Sequence, residues 1–325
     1  TSILKGLVNL IYKILVFTFL IMPLLFVGPY FSFLNYKNAS LELLDISDGE
    51  SISASISKII PMSFTNKTLL RFHLHKLNIK SFKAGEYNIK DKSLADIIND
   101  LHQGKYYQRS ITILDGTNIY ELETLVNNSM LNNDCSYLNC IASEANKEGM
   151  LLPDTYYYYK GYNSSNIFNE SYKSLVDFVD SIWPQKPDNN LLNTKYEAII
   201  LASIIEKEAG NHDEKHLIAS VFLSRLAKNM RLQADPTIIY GLLPNFDGDI
   251  KKSDILNKRN IYNTYMNKGL PPSPIAFASK SSISAAILSS PGEYLYFVAD
   301  SKNSHYFSKT YDEHKKAIKR LGLDK

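Results

Sequence analysis

Two glutamates at the end of a long apolar segment are the residues best suited to acid catalysis. The segment Ala198-Ile-Ile-Leu-Ala-Ser-Ile-Ile-Glu-Lys-Glu-Ala-Gly210 predicts a helix that stops at Gly210. Residues three and four positions apart share a helix face. Glu208 therefore lies on the apolar face of Ile204 and Ile205, whereas Glu206 lies on the smaller, more polar side with Ala202 and Ser203. Apolar surroundings raise the pKa of a carboxyl group, and a general acid must keep its proton at neutral pH. The pattern favours Glu208 as a glycosidase-type acid, with a solvated Glu-Lys-Glu at a helix end as the structural alternative.

A second segment carries polar groups suited to sugar hydroxyls and acetamides. In Met230-Arg-Leu-Gln-Ala-Asp-Pro-Thr-Ile-Ile-Tyr-Gly241 the candidates for substrate binding are Gln233, Asp235, Thr237 and Tyr240. Because Asp235 precedes Pro236, we expect Asp235 in an extended or turn conformation, with Pro236 opening a short helix. A capped turn, in which Asp235 accepts hydrogen bonds from backbone amides, is the alternative.

A third segment extends the candidate binding site. Tyr262-Asn-Thr-Tyr265 adds Asn263, Thr264 and Tyr265. The proline-rich Gly269-Leu-Pro-Pro-Ser-Pro-Ile275 after it either walls a groove, because a stiff loop loses little entropy on binding, or serves as a rigid connector. Further on, residues 294–300 and 304–307 predict two strands joined by a hairpin. His305, in the second strand, either reaches a site or has a structural role.

Metal chemistry has little support in this sequence. Glu208, His212 and His216 have four-residue spacing, but Gly210-Asn211 interrupts the helix that such a zinc site needs. We therefore predict neither a metal nor a cofactor. Cys135 and Cys140 lack partners at zinc spacing, and they form either a disulfide or two free thiols.

The composition is that of a globular protein with a sizeable core. The chain has 325 residues, of which 45% are hydrophobic and 21% charged, with a net charge of +3. So small a charge gives no reason to expect nucleic acid as a partner. The 22 tyrosines suit carbohydrate surfaces, and coding bias is the alternative explanation.

The amino-terminal segment predicts a membrane anchor. Residues 14–34 contain no charged side chain. This run is long enough for a membrane-spanning helix, and it is longer than the apolar core of a cleaved signal peptide. Lys5 and Lys13 precede it, so the positive-inside rule predicts a single-pass protein with a cytoplasmic amino terminus and an exported remainder.

The exported part predicts an α+β fold in two domains. Residues 41–89 are typical of strand, helix, helix, strand, followed by a helix with Ser93 as its cap and Gly104 at its end. The β-α-α-β order resembles the LysM module, a small glycan-binding fold, and an unrelated spacer is the alternative. We predict an anchor at 1–36, a LysM-like subdomain at 37–110 and a mixed α+β catalytic domain at 111–325.

Together the motifs resemble the YceG-like family of endolytic murein transglycosylases. The matching segments are Phe82-Lys-Ala-Gly-Glu-Tyr87, Leu152-Pro-Asp-Thr-Tyr156, Ala202-Ser-Ile-Ile-Glu-Lys-Glu208, Val221-Phe-Leu-Ser-Arg-Leu226, 230–241, 262–265, Gly269-Leu-Pro-Pro and Tyr294-Leu-Tyr-Phe-Val-Ala-Asp300. Their order and spacing, with the anchor, span nearly the whole chain. The chain departs from the usual pattern at Ala209, Ser224, Phe277-Ala-Ser279 and Asn303-Ser304, which puts loop shapes in doubt but not the acid.

The resemblance implies an inner-membrane enzyme with a periplasmic catalytic domain. It implies cleavage of the MurNAc–GlcNAc bond within nascent peptidoglycan strands, leaving a 1,6-anhydroMurNAc end, with Glu208 as general acid and base. It also suggests the peptidoglycan synthases as partners. Two other functions stay open on residues alone: a hydrolase of the same bond with Asp235 as the second carboxylate, and a non-catalytic, membrane-tethered glycan-binding protein.

Overall fold

The computed structural model describes residues 2–135, 140, 147–301 and 304–323. The chain forms two compact units, Thr1–Arg109 and Ser110–Lys325. Helices predominate, and the described strands form three two-stranded sheets. The predicted mixed α+β class is confirmed.

Unit 1 contains a two-stranded sheet packed with helices. Its elements are α1 (Ser2–Leu34), β1 (Leu43–Ile46), α2 (Ile52–Ser57), α3 (Phe64–Lys76), β2 (Gly85–Asn88) and α4 (Leu94–Gln103). β1 and β2 pair antiparallel, with Leu43 opposite Asn88. As predicted, the Ser93 side chain caps α4, and Gly104 ends it in the left-handed conformation that glycine adopts without strain. The β-α-α-β order is present, but that order alone does not identify a LysM module, so the LysM resemblance stays a prediction.

Helix α1 covers the predicted membrane anchor, yet its last turns belong to the core of unit 1. Tyr30 and Phe33 are buried there, and the Tyr30 hydroxyl lies 2.9 Å from Nδ1 of His73. Within the described residues, no helix is both long enough and apolar enough to cross a membrane. The side chains of residues 19–25, inside the predicted span, lie outside the described part. The anchor is not confirmed, and the carboxyl-terminal end of the uncharged run, from Tyr30, packs against protein.

Unit 2 is built around helices. Its elements are β3 (Arg109–Thr112), α5 (Ile119–Asn127), β4 (Thr155–Tyr158), α6 (Ser164–Ile182), a 3-10 turn (Trp183–Gln185), α7 (Lys195–Glu208), α8 (Lys215–Ala227), α9 (Asp235–Tyr240), α10 (Lys252–Ile255), α11 (Lys280–Leu288), β5 (Tyr296–Ser301), β6 (Ser304–Ser308) and α12 (Tyr311–Arg320). β3 pairs with β4, and β5 pairs antiparallel with β6.

Helix α7 is the central helix of this core. Thr194 and Glu197 form a capping box at its start, and all eight residues from Ala198 to Ile205 are buried. Burial on every side explains why the segment is so uniformly apolar. The helix ends at Glu208, because Ala209 is already extended, rather than at Gly210 as predicted.

The two cysteines are joined by a disulfide. The Cα atoms of Cys135 and Cys140 lie 5.8 Å apart, within the usual range for such a bridge. This decides between the two alternatives that the sequence left open; residues 136–139 between them lie outside the described residues.

Candidate active site

A cleft in unit 2 collects groups from segments distant in the sequence. Its volume is about 430 Å³. The lining residues are Glu208, Arg225, Leu232, Gln233, Asp235, Tyr265, Tyr296, Phe297, Val298, Ala299, His305, Tyr311 and His314. Four of the eight predicted site residues are among them, and Thr237, Tyr240, Asn263 and Thr264 are not.

Glu208 enters the cleft from the last turn of α7. Its side chain is half-buried, and no hydrogen bond to its carboxyl group is present among the described residues. Burial, and then the negative charge of Asp235, raise the pKa of Glu208 to about 8, while the Arg225 guanidinium acts in the opposite direction. A carboxyl group in this environment holds its proton at neutral pH and can deliver it to a bound ligand.

Glu206 has the opposite environment, although it lies only two residues earlier. Both of its oxygens accept from Nζ of buried Lys215, at 3.0 and 3.2 Å, and Oε2 also accepts from the amide and hydroxyl of Ser279. Burial pushes the pKa of Glu206 upwards, but these donors outweigh it and the net shift is downwards. These partners agree with the prediction that Glu206 emerges on the more polar side, although Ala202 and Ser203, on which that prediction was based, are themselves buried. Hydrogen-bond partners distinguish the two acids.

Asp235 faces the cleft from the start of α9. Tyr265 donates its hydroxyl hydrogen to Oδ1 of Asp235 at 2.7 Å, and burial followed by this bond raises the pKa of Tyr265. Asp235 is already helical, with Ala234 as the extended residue before it, so the expectation of an extended Asp235 is off by one residue. The Asp235 carboxylate accepts from Tyr265 and lines the same cleft as Glu208, with which it interacts electrostatically.

Gln233 has a strained backbone. Its φ is 52°, in the left-handed region that non-glycine residues avoid, and its amide donates to the Thr264 carbonyl at 3.2 Å. Such strain costs roughly 1–2 kcal/mol and clusters at functional sites. The exposed Gln233 side chain lines the cleft.

Three of the predicted binding residues stabilise the segment that contains Gln233 and its neighbours through hydrogen bonds within the protein. Thr237 and Thr264 are buried, with their hydroxyl oxygens 2.9 Å apart, and the Ala234 amide donates to Oγ1 of Thr264 at 3.0 Å. Asn263 is fully buried and donates to carbonyls of the α10 region, at Asp254, Ile255 and Asn257. These side chains hold the segments that carry Gln233, Asp235 and Tyr265.

Tyr240 lies at the other end of α9. Its ring packs edge-on against Tyr262 with centroids 4.8 Å apart, and its hydroxyl interacts with the buried Glu148 carboxyl group. Burial raises the pKa of Glu148 to about 7, although its carboxylate also accepts from the Ile119 amide at 3.1 Å. Tyr240 therefore anchors α9 in the core.

The sequence arguments did not assign Arg225 or Tyr296 to the site. Arg225 is buried, donates from Nε to the Leu295 carbonyl at 2.7 Å and from Nη1 to the Leu232 carbonyl at 2.6 Å, and stacks on Tyr296 at 5.3 Å. An arginine inside the mostly apolar segment Val221–Leu226 was the available signal, because a buried cation needs nearby acceptors.

The zinc alternative does not match this geometry. Nδ1 of His212 lies 3.1 Å from the Ser281 hydroxyl, and Nδ1 of His216 lies 3.0 Å from that of Ser289. Neither histidine lines the cleft that contains Glu208. Across the described ranges, no group of three or more histidine, cysteine, aspartate or glutamate side chains could hold a metal ion.

Comparisons with known proteins identify similar sequences and similar solved structures. The family model described as the YceG-like family matches residues 44–320. An endolytic murein transglycosylase of Bacillus subtilis (strain 168) is 30% identical over 303 residues, which cover 84% of this chain and 83% of that protein. One of Streptococcus pneumoniae serotype 2 (strain D39) is 29% identical over 175 residues, 53% of this chain and 31% of that protein. A crystal structure of a yceG-like protein from Listeria monocytogenes superposes with a TM-score of 0.53 at 28% identity, covering 84% of this chain and 97% of that one.

Proposed function

Because the chain belongs to the YceG-like family and is thus an enzyme of the lytic transglycosylase class, we propose that it cleaves peptidoglycan glycan strands internally with Glu208 as general acid and base. The single observation that carries this proposal is the position of Glu208. It lies half-buried in an open cleft, its pKa is raised to about 8, and its carboxyl group accepts no hydrogen bond from the described protein.

The proposed reaction begins with protonated Glu208. Its proton passes to the glycosidic oxygen between MurNAc and GlcNAc as the bond from that oxygen to C1 of MurNAc breaks. The resulting carboxylate takes the proton of the C6 hydroxyl of MurNAc while the C6 oxygen bonds to C1. The product is a 1,6-anhydroMurNAc end, and Glu208 recovers its proton. The balance requires neither water nor a cofactor.

The neighbouring residues prepare Glu208 and the bound sugar for this reaction. The negative charge of Asp235 helps to keep Glu208 protonated. Gln233 contributes an exposed amide that can bind sugar hydroxyls and acetamides, and Tyr265 fixes the position of Asp235. We exclude Thr237, Tyr240, Asn263 and Thr264 from direct substrate contact, because they are bonded within the protein.

The test is cleavage of purified glycan strands by the wild-type chain and by Glu208→Gln, with product ends identified by mass spectrometry. We expect 1,6-anhydro ends from the wild type and a loss of at least about 100-fold in Glu208→Gln. Glu123→Gln, an exposed glutamate on α5, is the matched control and should cleave normally. Unchanged cleavage by Glu208→Gln would reject Glu208 as the acid, and no cleavage by any form would favour the glycan-binding tether.

Hydrolysis of the same bond is the second candidate, because Asp235 lines the cleft together with Glu208. Paired carboxylates on either side of a glycosidic bond are the usual arrangement of glycoside hydrolases. The same spectra separate the two reactions, since hydrolysis leaves reducing ends heavier by two hydrogens and one oxygen.

We also propose the domain organisation and location that the sequence predicts. The uncharged run 14–34 supports an anchor within residues 1–36, and the resemblance supports a LysM-like subdomain at 37–110, a catalytic domain at 111–325 and the peptidoglycan synthases as neighbours. Extraction of membranes with alkaline carbonate tests the anchor: an anchored chain stays in the pellet, whereas release into the supernatant contradicts it.

A further inference from the structure

A histidine and a glutamate form a hydrogen-bonded pair in the wall of the cleft. His305 lies on β6 and lines the same cleft as Glu208. Nδ1 of His305 lies 2.9 Å from Oε2 of Glu214, and the His305 backbone amide donates to Oε1 at 2.8 Å. One carboxylate therefore holds both the ring and its strand. Glu214 immediately precedes α8, and its own amide donates to Asn211 at 3.1 Å.

This arrangement fixes which ring nitrogen is left for a ligand. A carboxylate oxygen only accepts hydrogen bonds, so Nδ1 of His305 carries a ring proton. In a neutral imidazole with its proton on Nδ1, the other nitrogen, Nε2, presents a lone pair. The ring also packs edge-on against Phe297, with centroids 5.3 Å apart. Within the described part of the chain, no hydrogen bond to Nε2 is present.

The local strand geometry supports a functional position for this residue. His305 pairs with Ala299 across the β5–β6 hairpin, and the register shifts between Ala299 and Ser301. Irregularities of this kind re-aim side chains and are frequent beside active sites. A ring fixed by a carboxylate, a strand and an aromatic edge loses little freedom when a ligand binds, which is what a substrate-contacting group requires.

Building on the proposed function, we propose that His305 is a further substrate-contacting residue and Glu214 its positioning residue. Nε2 accepts a hydrogen bond from a hydroxyl group of a glycan sugar bound beside Glu208. Sugar hydroxyls are abundant neutral donors, and a fixed neutral acceptor in a cleft of about 430 Å³ matches them.

Two substitutions separate contact with substrate from a structural role. His305→Asn keeps an amide nitrogen where Nδ1 lies, and with it the bond to Glu214, but removes Nε2. His305→Gln places a polar atom near the position of Nε2 instead. We expect His305→Asn to melt within a few degrees of wild type, and to bind uncleaved glycan strands about tenfold more weakly when both are compared in a Glu208→Gln background by titration calorimetry. His305→Gln should recover part of the affinity.

His216→Asn is the matched control, because exposed His216 also bonds through Nδ1 but lies outside the cleft. The inference is overturned if His305→Asn, in the Glu208→Gln background, binds glycan strands as tightly as that background alone. It is also overturned if the background itself binds no glycan. These outcomes are independent of the catalytic proposal. If Glu208→Gln still cleaves strands while His305→Asn binds weakly, the proposed acid is wrong and the contact stands. If Glu208→Gln is inactive and His305→Asn binds and cleaves normally, the acid stands and the contact is wrong.

Discussion

Replacing Asp235 with asparagine should move the alkaline limit of the enzyme's activity towards neutral pH. Glu208 is active as an acid only while it carries its proton, and the kcat/KM profile reports the pKa of such a group in the free enzyme. Asp235 raises that pKa through its negative charge, so removing the charge lowers it. Burial, the larger cause, remains, so the pKa of the variant stays above the ordinary 4.5.

The size of the effect follows from a pKa of about 8 for Glu208. About nine in ten molecules are then protonated at pH 7, half at pH 8 and about one in ten at pH 9. With an ordinary pKa of 4.5, only about three in a thousand would be protonated at pH 7, which is roughly 300-fold fewer. The wild-type rate should therefore stay nearly constant up to about pH 7, fall about fivefold between pH 8 and pH 9, and fall about tenfold between pH 9 and pH 10.

The assay is the initial rate of formation of new glycan ends at low strand concentration, from pH 5 to pH 10. Asp235 also lies in the cleft, so the absolute rate can fall in Asp235→Asn, and the midpoint of the alkaline limb is the diagnostic quantity. Tyr265→Phe is the control, since it removes the hydrogen bond to Asp235 but keeps the charge. A wild-type midpoint near 4.5, or an unchanged midpoint in Asp235→Asn, would refute this account of Glu208.

Three further predictions concern the support of the site. Lys215→Met should lower the free energy of unfolding by about 3–5 kcal/mol in urea titrations, because it leaves the buried Glu206 carboxylate without its cation. Gln233→Gly should raise the free energy of unfolding by about 1 kcal/mol by relieving the positive φ, yet weaken glycan binding in calorimetry. Reduction of the Cys135–Cys140 disulfide should cost at most about 2 kcal/mol of unfolding free energy and leave strand cleavage unchanged, since the closed loop is short and neither cysteine lines the cleft.

Each of these has a control in the chain. Lys195→Met removes the exposed pair with Asp180 and should cost less than about 1 kcal/mol, so an equal cost for Lys215→Met would contradict the burial argument. Asn229→Gly relieves a φ of 53° outside the cleft and should stabilise without affecting binding. Alkylation of two thiols under non-reducing conditions would contradict the disulfide.

The fold was predictable where one helix or strand carries its own signals. Ser93 and Gly104 bound α4 because serine hydroxyls and glycine backbones satisfy helix ends locally. The apolar segment before Glu208 predicted α7 correctly, although the helix is buried from Ala198 to Ile205, so no solvent-exposed face separates the two acids there. The amino-terminal run could not be assigned from its lack of charge alone, since apolar residues such as Tyr30 and Phe33 serve a protein core equally well.

The site was predictable only in part, because side-chain type does not reveal the partner. Thr237 and Asn263 have the polar groups of a sugar site, but their hydrogen bonds are made within the protein. Arg225 was missed since its role depends on carbonyls about 7 and 70 positions away, which no local pattern encodes. His305 stayed undecided for the same reason, as Glu214 meets it from a distant segment.

The origin of the cleft walls has a consequence for how the protein acquires activity during folding. Glu208 ends one helix, Asp235 begins another, and His305 lies roughly one hundred positions after Glu208, so the cleft closes only through long-range contacts that form slowly. Until they form, the carboxyl group of Glu208 is solvated and has the acidity of a free glutamate, so it is ionised at neutral pH. In a partly folded chain Glu208 is therefore deprotonated at neutral pH, so strand cleavage begins only when the fold is complete.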